Sequence, residues 1–262
     1  YINPDHCLLY TSANTNNNDI NDVTNIFYDD SRDKAKATSH VEKDALSLRF
    51  NTENYKYLTS YLNNTGDVCV LLGAGSNTLS YSVDEGFSWT GLGNSIFSVT
   101  GNKAIWNGAV WVAVGEGATN TVATSTDGIN WTGRGKVFGV RGNNLSYNYN
   151  HRMWVAVGED NIKKRNIAYS TDNGVSWSYP STEIFSDVAH DVTWIGYKWF
   201  AVGKGSTNTL AESVDGINWT GSGMQFSVVG YGIATDDYGA IVICGEDADA
   251  TQNVQYTTFD QY

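Results

Sequence analysis

The sequence contains few residues of several informative kinds. It has only 2 prolines and 3 cysteines in 262 residues, and charged residues make up 17% of the chain. Its longest unbroken apolar run, residues 109–114, is far shorter than the roughly 20 residues of a membrane-spanning helix, so we expect no membrane insertion. Basic residues number 16 against 28 acidic ones, and the resulting net charge of −12 argues against a nucleic-acid partner, whose phosphates need a basic face.

Aromatic residues and glycine are, by contrast, plentiful. The chain has 9 Trp, 16 Tyr and 27 Gly, whereas disordered chains are poor in aromatics, so we expect a folded globular protein. With so few prolines, the turns must be built from Gly, Asn and Asp. The cysteines, Cys7, Cys69 and Cys244, lie in apolar runs without the spacing of metal ligands. We therefore expect buried free thiols, and neither a metal nor another cofactor.

A short phrase containing Ser, Asp and Gly and ending in Trp recurs along the chain. It reads SVDEGFSW at 82–89, STDGINW at 125–131, STDNGVSW at 170–177 and SVDGINW at 213–219. The tryptophans that end these copies are 42, 46 and 42 residues apart. A regular period of this length indicates a repeat protein in which each unit is one supersecondary structure.

A second, apolar phrase ending in Gly precedes each copy of the first. It reads VCVLLG at 68–73, WVAVG at 111–115 and 154–158, WFAVG at 199–203 and IVICG at 241–245. These β-branched and aromatic runs predict strands, and no window has the apolar spacing of a helix. Atypical copies at 7–10 with 25–30, and at 254–260, bring the number of units to six, each about 44 residues long.

The length of the unit is typical of a four-stranded propeller blade. We therefore predict an all-β chain that forms a six-bladed β-propeller of four-stranded blades, with five or seven blades as alternatives. Radial stacking would cover the two faces that a strand-rich unit cannot bury alone. The prediction treats residues 1–262 as a single domain, with repeats near 1–50, 51–92, 93–135, 136–180, 181–223 and 224–262.

The pattern Ser-X-Asp-(X)-Gly-X-X-Trp resembles the Asp-box, or BNR, repeat of the sialidase-like β-propeller superfamily. The resemblance covers about residues 54–260 and implies a turn between the third and fourth strands of each blade. It also implies that the Asp accepts hydrogen bonds from backbone N–H groups of the turn and that the Trp packs into the sheet. The residues given these structural roles are Asp84, Trp89, Asp127, Trp131, Asp172, Trp177, Asp215 and Trp219.

The shorter form of the pattern, Asp-Gly-Ile-Asn-Trp, is similar to repeats in surface and virion-type proteins, including products of large DNA viruses. This resemblance implies an extracellular or virion-surface location and leaves a cytoplasmic one open.

The catalytic residues of the sialidases are not found in the sequence. A sialidase needs three arginines around the substrate carboxylate, and the family marks the first with Phe/Tyr-Arg-Ile-Pro. This chain has no Arg-Ile-Pro, and its arginines do not recur at equivalent positions of the repeats. A different glycoside hydrolase would need only two central carboxylates, and this is the alternative function. Candidates follow the Gly that ends the second strand: Glu116, Glu159, Glu246 and Asp247.

The loops that follow the second strands are similar to one another and predict a ligand site. Their Asn and Thr side chains suit hydrogen bonding to a sugar, although the same residues also serve as ordinary caps of the next strand. The candidate ligand-binding residues are Asn77, Thr78, Glu116, Asn120, Thr121, Glu159, Lys204, Asn208, Thr209 and Glu246. We expect a non-enzymatic binding or assembly module, with carbohydrate binding as one form of it, and a protein or glycan surface as the partner.

Overall fold

The computed structural model describes residues 8–10, 25–27, 68–84, 86–162, 165–235, 240–248 and 254–258. Every regular element in these ranges is a β-strand. None of the described residues forms a helix long and apolar enough to span a membrane. The predicted all-β fold class is confirmed.

The strands follow the sequence repeats and form successive antiparallel meanders, which we call blades A to E. They are preceded by an antiparallel pair of strands, β1 (Leu8–Tyr10) and β2 (Asn25–Phe27). Blade A contains β3 (Cys69–Leu72), β4 (Leu79–Ser82) and β5 (Thr90–Gly91). Blade B contains β6 (Thr100–Trp106), β7 (Trp111–Glu116), β8 (Val122–Ser125) and β9 (Thr132–Gly133).

The remaining blades continue the same order of strands. Blade C contains β10 (Arg141–Asn148), β11 (Met153–Glu159) and β12 (Ile167–Ser170). Blade D contains β13 (Val188–Trp194), β14 (Trp199–Lys204), β15 (Leu210–Ser213) and β16 (Thr220–Gly221). Blade E contains β17 (Val229–Thr235), β18 (Ala240–Glu246) and β19 (Val254–Thr258). Among the described residues, blades B and D have the predicted four strands, and the fourth strand of blade C is reduced to one bridge, between Tyr169 and Ser178.

The first strands of neighbouring blades lie side by side. Strand β10 contacts both β6 and β13, and β13 contacts β17. Single antiparallel bridges also join one blade to the next, at Ala74–Thr100, Glu116–Arg141 and Glu159–Val188. The fold is that of a β-propeller, with the first strands innermost. The described residues do not include a closed ring, so the number of blades stays a prediction.

The core lies between the blades, where the second strands are buried on both faces. Trp111, Trp154 and Trp199, the first or second residues of β7, β11 and β14, are completely buried. A buried phenylalanine from the segment before each first strand packs on the Gly that ends the second strand. A Cβ at Gly115 would lie 2.8 Å from the Phe97 ring, which explains why this apolar phrase ends in Gly.

Strand β18 differs from the other second strands because its residues alternate between buried and exposed. Ile241 and Ile243 are buried, whereas Val242 and Cys244 are exposed, so no described residue covers that face of blade E. The expected burial of the free cysteines is therefore right for Cys69 and wrong for Cys244. Cys7 lies outside the described residues.

Candidate functional site

The Asp-box turns lie at one end of the blades, each following the third strand. In blade B the Asp127 carboxylate accepts hydrogen bonds from the backbone N–H groups of Ile129 and Asn130 at 2.9 and 2.7 Å. It also accepts a bond from the Ser125 hydroxyl at 2.9 Å. These donors satisfy the carboxylate inside the turn, as the resemblance implied. Carboxylates in similar bonds are Asp84, Asp172 and Asp215.

In blades B, C and D the Gly of the Asp-box packs against the preceding blade. Gly128 of blade B has a positive φ of 73°, and a Cβ there would lie 2.9 Å from Val68 Cγ1 in blade A. The Trp131 indole N–H donates to the Gly128 carbonyl at 2.9 Å and closes the turn. The Asp-box therefore packs one blade against the preceding one. The equivalent indole bonds are Trp177 to Gly174 and Trp219 to Gly216, while the buried Trp89 indole N–H has no hydrogen-bond partner among the described residues.

The Asn side chains of the loops after the second strands hold neighbouring backbone in place. The Asn120 side-chain oxygen accepts a hydrogen bond from Gly135 N–H at 3.0 Å, and its amide nitrogen donates to the Ile96 carbonyl at 3.3 Å. Asn77 and Asn208 accept the same bond, from Gly93 and Gly223. Ligand contact by these asparagines stays a prediction.

The Thr side chains of the same loops are enclosed. Thr78, Thr121 and Thr209 have no exposed surface, and the Thr78 hydroxyl donates to the Phe97 carbonyl at 2.7 Å. Since these hydroxyls are turned into the core, their position gives them a structural role at the entry of the next blade.

The charged candidates lie together at the end of the blades opposite the Asp-boxes. The Arg141 guanidinium, at the start of β10, lies 2.9 Å from the Glu159 carboxylate and 3.9 Å from that of Glu116. The Lys204 amine lies 3.3 Å from the Asp187 carboxylate. We call this group the charged mouth and define it as Glu116, Arg141, Glu159, Asp187, His190, Lys204, Tyr231 and Glu246.

His190 and Tyr231 connect the ion pairs of the charged mouth to blade E. Their rings are 5.5 Å apart, and the Tyr231 hydroxyl donates to the Glu246 carboxylate at 2.7 Å. That hydrogen bond raises the pKa of Tyr231. Burial lowers the pKa of His190 below its usual value, and the positive charge of Arg141 lowers it further, so the neutral imidazole is favoured at neutral pH.

Each first strand carries a β-bulge at the same position, shortly after it begins. The bulged residues are Asn102, Asn143, His190 and Tyr231. Asn102 donates to the Gly142 carbonyl at 2.7 Å and Asn143 to the Ala189 carbonyl at 2.8 Å, so each side chain reaches the next blade. A bulge re-aims one side chain of a strand, and here it directs a variable residue towards the neighbouring first strand.

Below the charged mouth, the first strands enclose a polar group around Asp191. Its carboxylate accepts hydrogen bonds from the Asn144 side chain at 2.6 Å and from the backbone N–H groups of Val192 and Ile233 at 2.8 and 2.9 Å. Burial raises the pKa of Asp191. Burial also disfavours the charged form of Lys103 and therefore lowers its pKa, while the negative charge of Asp191 acts to raise it. These hydrogen bonds join the first strands β10, β13 and β17 directly below the charged mouth.

Four residues of the charged mouth are not among those predicted from the sequence: Arg141, Asp187, His190 and Tyr231. A third repeated phrase marks their positions: FSVTGN at 97–102, FGVRGN at 138–143, FSDVAH at 185–190 and FSVVGY at 226–231. Its last residue is the bulged one and varies from blade to blade. The phrase begins with the Phe that packs on the second strand, so a search for residues after a constant Phe would have found the mouth. Among the described residues, no three His, Cys, Asp or Glu side chains are grouped so that they could hold a metal ion.

Comparisons with known proteins support the fold and do not extend to a family. No protein-family model matches the chain, and no curated protein matches it. A solved structure of YCF48 from Cyanidioschyzon merolae is similar at a TM-score of 0.50 and 13% identity, over 77% of this chain and 70% of that one. A structure of a nidogen/laminin complex is similar at a TM-score of 0.51 and 7% identity, over 73% of this chain and 76% of that one. Both neighbours are β-propellers.

Proposed function

We propose that this protein is a non-enzymatic binding or assembly module that docks a protein partner through the charged mouth. The observation that carries the proposal is the mouth itself, where charged and aromatic side chains from four blades lie together at one end of the blades. The fold favours this role because propellers present a rigid face. The similar nidogen/laminin structure is a complex of two proteins, which supports a protein partner for this propeller.

The charge of the mouth indicates the kind of partner. It contains four carboxylates, those of Glu116, Glu159, Asp187 and Glu246, against two cations, Arg141 and Lys204. With His190 neutral, its net charge is −4 + 2 = −2, on a chain whose total charge is −12. A negative rim attracts and orients a basic surface. We therefore propose a partner that presents lysine and arginine, on a cell or virion surface.

Charge reversal in the mouth tests this proposal. The wild type and the double variant Glu116→Lys/Glu246→Lys are applied to an array of basic, neutral and acidic peptides at several salt concentrations. We expect the wild type to bind basic peptides, to bind them less as salt rises, and to lose them in the double variant. Glu212→Lys, on β15 at the Asp-box end of blade D, is the control and should bind as the wild type does. Equal binding by wild type and double variant contradicts the proposal.

The competing function is a glycoside hydrolase that uses Glu116 and Glu159, because the fold brings both carboxylates to one guanidinium. In the proposed module Arg141 pairs with both of them, which makes them part of a charged surface instead of a free acid and nucleophile. A panel of fluorogenic glycosides separates the two functions. We expect no turnover; hydrolysis that disappears in Glu159→Gln would replace the binding module with the enzyme.

A further inference from the structure

The outer edge of blade C differs from the edges of blades A, B and D. In those three blades the N–H of the third residue after the box Trp donates to the third strand: Leu92 to Leu79, Arg134 to Val122 and Ser222 to Leu210, at 2.8 to 2.9 Å. The equivalent residue of blade C is Pro180. Proline has no N–H, so this bond cannot form and the chain leaves the edge of β12 after the bridge between Tyr169 and Ser178.

A second pair of replacements accompanies the proline. In blade B, Asn120 lies against Gly133, where a Cβ would be only 2.3 Å from the Asn oxygen. At the two equivalent positions blade C has Arg165 and Tyr179, and the Arg165 guanidinium carbon lies 4.6 Å from the centre of the Tyr179 ring. A small, closed contact has thus become a large stacked pair. The Tyr179 hydroxyl donates to the Val137 carbonyl at 2.7 Å, which fixes the ring in place.

These changes open a cleft of about 710 Å³ between β12 and the chain that follows Trp177. Its volume lies in the usual range for small-molecule sites, roughly 300 to 1,000 Å³. Its walls include the aromatic rings of Tyr169, Trp177 and Tyr179. Polar side chains at the rim are those of Arg165, Ser181, Thr182 and Glu183, which are exposed.

We propose that this cleft binds a neutral oligosaccharide. Aromatic faces pack against the C–H faces of a sugar ring, while guanidinium, hydroxyl and carboxylate groups bond its hydroxyls. Arg165 and Glu183 contribute one charge of each sign, so the lining gives no preference for a charged ligand. A peptide strand is the weaker fit, because the edge of β12 next to the cleft is only a few residues long. The cleft is separate from the charged mouth, and the inference does not depend on the proposed protein partner.

The most direct variant gives blade C the residues of blade B. Arg165→Asn/Tyr179→Gly/Pro180→Arg restores both the N–H donor and the small contact, so it should close the cleft while keeping a fold that the same chain already uses. On a glycan array we expect the wild type to bind a set of neutral glycans. The triple variant should bind them at least about tenfold more weakly, because a stacking face and a charged donor are lost. Circular dichroism should show an unchanged fold.

Two further variants keep the outcome decisive. Tyr179→Leu removes the stacking face but keeps an apolar side chain, and it should also weaken glycan binding. This variant replaces the triple variant in the test if the triple variant proves unstable. Glu116→Lys/Glu246→Lys, in the charged mouth, should leave glycan binding unchanged. Any of the following overturns the inference: no glycan bound, binding confined to acidic glycans, equal binding by the triple variant, or binding of extended peptides in the cleft instead of sugars.

Discussion

At the scale of single residues, the Asp-box carboxylates hold the turns as ionised hydrogen-bond acceptors. The hydroxyls of Ser82 and Ser88 lower the pKa of Asp84 to about 2. Burial acts to raise the pKa of Asp127, but the bonds from Asn130, Ile129 and Ser125 outweigh it and hold that pKa also at about 2. In the unfolded chain an Asp has a pKa of about 3.9.

This difference predicts a loss of stability in acid. Because the folded-state pKa is the lower one, the ionised Asp127 stabilises the protein fully above about pH 4, and this contribution disappears as the pH falls towards 2. We expect the urea midpoint of Asp127→Asn to fall less between pH 4 and pH 2 than that of the wild type. Denaturation curves across this range measure it, and parallel pH profiles for the two proteins would refute it.

The Asp-box glycines predict a different kind of loss. Gly128→Ala adds a Cβ at 2.9 Å from Val68 in the previous blade, at a φ of 73°. Gly135→Ala is a matched control, since its φ is 79° and a Cβ there meets nothing within 4 Å. Both should lose about 1 kcal/mol to the positive φ, and Gly128→Ala roughly 1 to 3 kcal/mol more to overpacking. Equal unfolding free energies would mean that the box does not join the blades.

Residue roles were predictable where local turn chemistry determines them. The Asp and Trp of the box can be recognised in the sequence because their partners lie within the same turn. The Asp accepts hydrogen bonds from backbone N–H groups of the turn, and the Trp indole donates one to the Gly carbonyl. Asn120 and Thr121 are residue types that a sugar site also uses. Their side chains accept hydrogen bonds from backbone N–H groups 15 and 17 residues away, at Gly135 and Phe138. Only the packed fold decides between these two uses.

At the scale of elements, the strands were predictable and the bulges were not. Apolar runs ending in Gly correspond to β3, β7, β11, β14 and β18. A bulge depends instead on the register between two strands, which the order of residues does not reveal. The bulged positions bring the rings of His190 and Tyr231 together in the charged mouth.

The bulges also predict a structural effect between blades. Asn143→Ala removes the bond from its amide to the Ala189 carbonyl, 2.8 Å long, and should lower the free energy of unfolding by about 1 to 2 kcal/mol. Asn150→Ala, in an exposed turn of the same blade, is the control and should be nearly neutral. Chemical denaturation gives both values. If the two variants lose the same amount, the bulge does not tie blades C and D together.

At the scale of the whole molecule, the repeat predicted the propeller and the loops of the charged mouth, but not the residues that the first strands add to it. The residues that recur in the repeats serve the scaffold, and the proposed sites lie where the repeats differ. Arg141, His190 and Tyr231 fill equivalent or neighbouring positions of different blades with different side chains. Averaging the copies into one consensus removes these residues, so the consensus describes the fold and conceals the proposed binding surface.

Hydrogen exchange with and without a basic peptide selected from the array shows where on the propeller the peptide binds. We expect slower exchange around residues 115–117, 141–143, 158–160, 187–190, 203–205, 229–231 and 245–247, which form or flank the charged mouth. We expect no change at the Asp-box turns, 126–131, 171–177 and 214–219. Slower exchange at the turns, with the mouth exchanging as in the free protein, would mean that the mouth is not the binding surface.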